Sequence, residues 1–120
     1  MKFNLLLMRE TLGRPVDIDE QPLTDETPAD YIYRIVRSKA NEGWRRVMQR
    51  RLPLLPVLVA DTIVTLDGCI LGKPRDIEHA KEMLTALSGR SHQVLTAIGV
   101  GVKDKVQVRL SPTTVRFREI

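Results

Sequence analysis

Apolar residues recur along this chain at two spacings, and the change from one to the other marks out its elements. Ile32, Ile35, Val36, Ala40, Gly43, Trp44, Val47 and Met48 follow the three-and-four spacing of a helix with one buried face. Thr27, Pro28 and Asp30 supply a cap, a proline for the first helical turn and an acid near the helix start, while Pro53 forces an end soon after Arg51. A second helix is capped by Asp76, carries Ile77, Ala80, Met83, Leu84 and Leu87 on one stripe, and closes at Gly89. Between the helices, Leu54 to Ala60 is apolar on both sides, as a covered strand is, with Pro56 disturbing its first half. Asp61 is expected to end that run. Ile63–Leu66 and Cys69–Leu71 flank Asp67-Gly68, the strongest short hairpin signal. Asn4 to Met8 predicts a first strand, and Gly13-Arg14-Pro15 breaks any helix that Arg9 to Leu12 begins. Gln93 to Val102, Val106 to Leu110 and Thr114 to Arg118 are β-branched and predict strands, with a turn at Lys103-Asp104.

Alternation of strands and helices makes this an α/β chain, and 120 residues with no linker, repeat or low-complexity tract predict one domain over 1–120. A hydrophobic fraction of 42% beside 28% charged residues excludes disorder as the main state. No apolar run approaches the ~20 residues that span a bilayer. The start, MKFNLLLMRE, lacks the pattern of a secretory leader, and the single cysteine, Cys69, cannot form an internal disulfide; both point to the cytoplasm.

The net charge of +4 is segregated along the chain. Asp17, Asp19, Glu20, Asp25, Glu26 and Asp30 form an acidic stretch without a base, followed by Arg34, Arg37, Lys39, Arg45, Arg46, Arg50 and Arg51 against Glu42 alone. Such a pair suits a metal with a polyphosphate, or nucleic acid, or simply a solvated helix face. Aromatic residues at 4% leave little for stacking on bases, so nucleic acid is the weakest of these.

Asp61 draws attention because a carboxylate at the end of a buried strand is costly unless something binds it there; a turn-capping aspartate is the plainer alternative. Glu20 is the second carboxylate of interest, though such clusters are commonly solvated loops. Lys73, between Gly72 and Pro74, has a restricted backbone that suits a phosphate contact, and Lys39 lies at the edge of the helical stripe, where lysines mostly snorkel to water. His79 and His92 have no partner at metal-ligand spacing. No Gly-rich phosphate loop, nucleophile elbow or zinc signature is present.

Taken together, Val59-Ala-Asp61-Thr62, the Asp67-Gly68 turn, Leu71-Gly-Lys73-Pro74-Arg-Asp76, Ala80, Met83-Leu84, Leu87-Ser-Gly89 and His92-Gln-Val94 with Thr96 closely resemble the Maf family of nucleoside triphosphate pyrophosphatases. Asp17-Ile-Asp-Glu20 with Pro28, Tyr31, Arg34 and Lys39-Ala40, and Thr114-Val-Arg-Phe117, extend the resemblance over nearly all of residues 16–118. It implies a mixed sheet with flanking helices and a nucleotide cleft, as in inosine-triphosphatase-like folds. The implied reaction hydrolyses a nucleoside triphosphate to the monophosphate and pyrophosphate with a divalent cation, Mg2+. By the same correspondence Asp61 is the proton acceptor, Glu20 and Asp61 are metal or water partners, and Lys39 and Lys73 contact phosphates. Thr62 looks like the residue of the subfamily acting on dTTP and UTP, where glutamine marks the one favouring methylated guanosine triphosphate.

Two departures from the family pattern shape the expectations. Family members lead from their first strand into a phosphate loop bearing Ser-Pro-Arg-Arg, whereas here Asn4-Leu-Leu-Leu7 runs into Met8-Arg-Glu-Thr-Leu-Gly13. They also continue past the strand of Phe117 with a segment that completes the cleft. The resemblance thus implies either a working dTTP/UTP pyrophosphatase, a homodimer as family members often are, or an impaired relative binding nucleotide or protein partners in the septum-associated role for which the family was named. Val94, Ile98, Val100, Val106 and Val108 are expected to form an exposed apolar surface that dimerisation covers.

Overall fold

The computed structural model describes the backbone of residues 4–5 and the full residues 20–103 and 105–120. The first helix, α1, runs from Pro28 to Gln49 and is capped as expected: Thr27 Oγ1 accepts from the Asp30 amide at 3.1 Å. Tyr31, Ile32, Ile35, Val36, Ala40, Gly43 and Val47 are its buried residues, one unbroken stripe. The helix ends in paired backbone bonds, Leu52 N–H to Val47 C=O at 3.0 Å and Arg51 N–H to Met48 C=O at 3.3 Å, with Arg51 left-handed at φ 51°. This closure needs a residue in the glycine-favouring region, and here an arginine occupies it.

One mixed sheet supports α1. Its strands are β1 (Asn4–Leu5), β2 (Val57–Leu66), β3 (Cys69–Leu71), β4 (Ser91–Val102) and β5 (Lys105–Arg116). The order is β1-β2-β4-β5 with β3 paired to β2; β1 is parallel to β2 and the other pairs are antiparallel. The expected first strand is present over Asn4–Leu5, and its remainder, with Arg9, Gly13, Asp17 and Asp19, lies outside the described residues. The β2–β3 hairpin turns at Asp67 and Gly68, both at positive φ, as the Asp-Gly pair predicts.

Three expectations change. Asp61 does not end a strand: β2 runs through it to Leu66, with Asp61 opposite Ala97 and Thr62 opposite Thr96. The chain need not break there because the Asp61 side chain finds a cation on α1. Leu54 to Pro56, assigned to the same strand, precede it. Finally, Val106–Leu110 and Thr114–Arg116 are parts of one strand that continues through Pro112, which β5 tolerates as the end strand of the sheet order, and Phe117 and Arg118 follow it.

Side chains alternate between two faces of the sheet. Val57, Val59, Ile63, Leu95, Ala97, Val106 and Val108 lie with α1 in or against the core. Gly99 and Gly101 let the helix approach: a Cβ at Gly99 would sit 2.5 Å from Val36 Cγ1, and one at Gly101 3.3 Å from Ala40 Cβ. Val106 and Val108 therefore do not belong to an exposed surface. Val94, Ile98 and Val100 are on the opposite face with Ala60 and Thr62, and of the three only Ile98 is exposed, at 47%, the other two being half-buried.

The second helix, α2 (Ile77–Leu87), has its expected cap, Asp76 Oδ1 accepting from the His79 amide at 2.7 Å, and Gly89 follows at φ 67°. Its stripe is mostly uncovered, with Leu87 its one buried residue and Ile77 75% exposed. No helix among the described residues is long and apolar enough to cross a membrane.

Candidate functional site

The site begins with Lys39, three residues past Val36, which α1 carries at the border between its buried stripe and solvent. Its side chain reaches β2 at Asp61 and is 17% exposed. Nζ lies 3.2 Å from Asp61 Oδ2 and 3.3 Å from Glu20 Oε1, so one ammonium joins a carboxylate of the central strand to one from the segment before α1. The other Asp61 oxygen, Oδ1, accepts from the Thr62 amide at 2.9 Å. Asp61 is thus fixed through both oxygens, which orients a carboxylate better than a single contact does.

Glu20 is the more exposed partner, 53% against 25% for Asp61. Its backbone carbonyl accepts a 2.6 Å hydrogen bond from the Tyr31 hydroxyl. Burial, followed by the negative charges of Glu20 and Asp61, pushes the Tyr31 pKa above its ordinary value, so this hydroxyl keeps its proton and remains a donor.

Glu20, Tyr31, Asp61 and Thr62 face a cavity of about 550 Å³ whose far side is the β2–β3 ribbon and the Ile70–Pro74 segment, including Lys73. The candidate residues Glu20, Lys39, Asp61, Thr62 and Lys73 therefore lie in or beside one cavity. Lys39 contacts Glu20 and Asp61, and the Thr62 amide contacts Asp61, whereas Lys73 lines the cavity without touching them. Lys39 is not on the lining and reaches the cavity through its two carboxylates. Lys73 is exposed and has no carboxylate partner among the described residues, which leaves its charge available to a ligand. The Thr62 hydroxyl is 3.1 Å from that of Thr96 on the neighbouring strand.

Sequence reasoning assigned no role to Tyr31 or Thr96. Tyr31 carried a signal, because a hydroxyl at a position of the buried stripe must find an acceptor. Thr96 carried none until the β2–β4 register was known. The basic run is also less free than it reads in sequence: Arg34 pairs with Glu26, and Arg45 and Arg46 with Glu42.

A carboxylate pair beside an ammonium and a second lysine across a cavity can hold a polyanion and a cation together, and can take a proton from a bound water. The two carboxylates suit a magnesium ion that shares its coordination with substrate, since magnesium is commonly held by one or two carboxylates plus water and phosphate oxygens. No group of three or more acidic, histidine or cysteine side chains, as a closed metal site needs, occurs among the described residues.

The same chain is matched by known proteins. Over 120 residues it is 62% identical to a dTTP/UTP pyrophosphatase of Nitrosomonas europaea, covering all of this chain and 58% of that relative. It is 48% identical over 118 residues to a dTTP/UTP pyrophosphatase of Nitrosospira multiformis and 39% identical over 118 residues to one of Dechloromonas aromatica, in each case covering 98% of this chain. The chain spans 57% and 59% of the length of these two relatives. The model of the Maf-like protein family matches residues 5–120, and the chain belongs to that family.

Proposed function

We propose that the cavity between α1 and the β2–β3 ribbon is the nucleotide cleft of a nucleoside triphosphate pyrophosphatase, acting on dTTP and UTP with magnesium to give the monophosphate and pyrophosphate. One observation carries the reading: Lys39 is shared between Glu20 and Asp61 at the wall of a cavity whose opposite rim holds Lys73. The relatives' names supply the substrate class.

In this mechanism Asp61 orients a water and accepts its proton as the water oxygen attacks phosphorus. Its Oδ1 stays on the Thr62 amide and Oδ2 faces Lys39, so the carboxylate does not turn during the transfer. Lys73 neutralises phosphate oxygens from the far rim while Lys39, held between Glu20 and Asp61, adds positive charge behind the opposite wall, and pyrophosphate leaves as the phosphoanhydride bond breaks. Glu20 and Asp61 are the residues that would hold the magnesium ion, which, when bound, supplies further neutralisation of the polyphosphate. Thr62, steadied by Thr96, faces the cavity as a choice-setting residue for the pyrimidine. The reading extends to a homodimer, and to the cytoplasm, where an exposed free thiol such as Cys69 stays reduced.

The test is turnover by the 120-residue chain of dTTP, UTP and the purine triphosphates in magnesium, with pyrophosphate release as the readout. Pyrimidine substrates should be preferred, and Asp61→Asn should lower turnover by about 10² to 10⁴ with an unchanged melting transition. Equal activity in the Asp61→Asn protein overturns the assignment.

A further inference from the structure

We propose that Tyr31 and Arg34, on successive turns of α1, are positioning residues that clamp the Glu20–Gln21 backbone and so deliver the Glu20 carboxylate to Lys39 beside Asp61. The catalytic consequence rests on the function proposed above; the clamp itself does not.

Glu20 has little else to hold it. It lies in a segment without regular secondary structure, its side chain is half exposed, and its ion pair with Lys39 is of the partly solvated kind that contributes only ~0–1 kcal/mol. Ordering one backbone residue costs about 1–2 kcal/mol, so the ion pair alone does not fix the segment.

The backbone contacts make up the difference. Tyr31 Oη donates to the Glu20 carbonyl at 2.6 Å, and Arg34 Nη2 donates to the next carbonyl, that of Gln21, at 3.0 Å. Residues three apart on a helix share a face, which is how two donors of α1 reach two consecutive carbonyls. Both donors are themselves fixed. Tyr31 is 8% exposed, and burial keeps its hydroxyl protonated. Arg34 is held by Glu26 through Nε to Oε2 at 2.7 Å and Nη2 to Oε1 at 3.0 Å, and its guanidinium lies 5.6 Å from the Tyr31 ring centroid. Glu26 Oε1 also accepts from the Leu23 amide at 3.1 Å, closing the segment back on itself. Packing alone would not call for this arrangement; a chain of donors ending on the main chain of one carboxylate-bearing residue sets where that carboxylate can reach.

A zero-length carbodiimide coupling reads the geometry directly, because it joins a carboxylate to an amine only where they touch. In the full chain, peptide mass spectrometry should find Lys39 linked to Glu20 and to Asp61. In Tyr31→Phe, the Glu20–Lys39 product should fall about five-fold relative to Asp61–Lys39, the size expected for one lost hydrogen bond. Arg34→Met should shift the ratio in the same direction. An unchanged ratio in both variants overturns the clamp. Loss of both products in Tyr31→Phe reports unfolding, and Arg34→Met then decides.

Turnover provides the second readout. Tyr31→Phe should lower kcat for dTTP about five-fold and raise the magnesium concentration for half-maximal rate, with KM nearly unchanged. If the wild-type chain hydrolyses no nucleotide, the functional reading fails while the coupling ratio still decides whether the clamp exists.

Discussion

Two helices of this molecule carry the same apolar spacing and have opposite fates. α1 buries seven residues and places Tyr31, Arg34 and Lys39 at the site, while α2 buries Leu87 and leaves Ile77 and Leu84 largely in water. The difference is not in the helices but in what faces them. α1 lies on a sheet whose β4 strand has glycines at positions 99 and 101, a notch that admits Val36 and Ala40. No such surface among the described residues meets α2. Periodicity identifies the face a helix would bury; only the partner decides whether it is buried.

The sharpest way to break this comparison is to truncate one apolar residue on each helix. Ile32→Ala on α1, at a position 0% exposed, should cost about 2–5 kcal/mol of stability, because it removes buried area and leaves a cavity. Ile77→Ala on α2, 75% exposed, should stay within ~0.5 kcal/mol. Denaturant unfolding of both variants checks this. Similar losses would show that α2 is buried in solution against something the described residues do not include.

Helix boundaries were largely legible from the chain, because caps act locally: Thr27-Pro28 and Asp76 start helices where they were expected, and Asp67-Gly68 turns its hairpin. Strand ends were not. Asp61 and Pro112 look like breaks, yet β2 and β5 pass through both, since a cation 22 residues away on α1 satisfies one and an end position in the sheet admits the other. Glu20, Lys39, Lys73, Asp61 and Thr62 could be named from residue types and family resemblance. The joining of Glu20 to Asp61 through Lys39 could not, because it depends on the crossing of α1 over β2. The clamp at Tyr31 and Arg34 was hidden for the same reason: its acceptors are backbone carbonyls, which leave no mark in the sequence.

A smaller effect sharpens the account of the notch. Gly99→Ala should destabilise by about 1–3 kcal/mol, since its Cβ would meet Val36 Cγ1 at 2.5 Å and core overpacking costs that much. Gly72→Ala, in the loop leading toward α2, has nothing within 4 Å of the added carbon and should change stability little. Equal thermal midpoints for the two variants would mean that α1 slides away from β4 at no cost, and that the notch does not set the helix position.

The smallest expected effect compares two ion pairs, one anchored on each helix, by their response to acid. Arg34 beside Glu26, chiefly through its side-chain hydrogen bond, holds the Glu26 carboxyl below its ordinary value of 4.5. A carboxyl whose pKa is lowered by folding adds stability that is fully present above its unfolded value and is lost as pH falls through the folded one. The advantage of wild type over Glu26→Gln should therefore be constant above about pH 5 and shrink below 4.5. On α2, Lys81 and Glu78 are 3.5 Å apart with side chains 68% and 80% exposed, a pair too solvated and loosely held to contribute measurably. Lys81→Met should accordingly leave the melting temperature unchanged at every pH. Melting curves across the acid range for the three proteins separate the two pairs: a wild-type advantage over Glu26→Gln that is absent above pH 5 would mean that the Arg34–Glu26 pair, like the one on α2, does not help to hold the segment bearing Glu20.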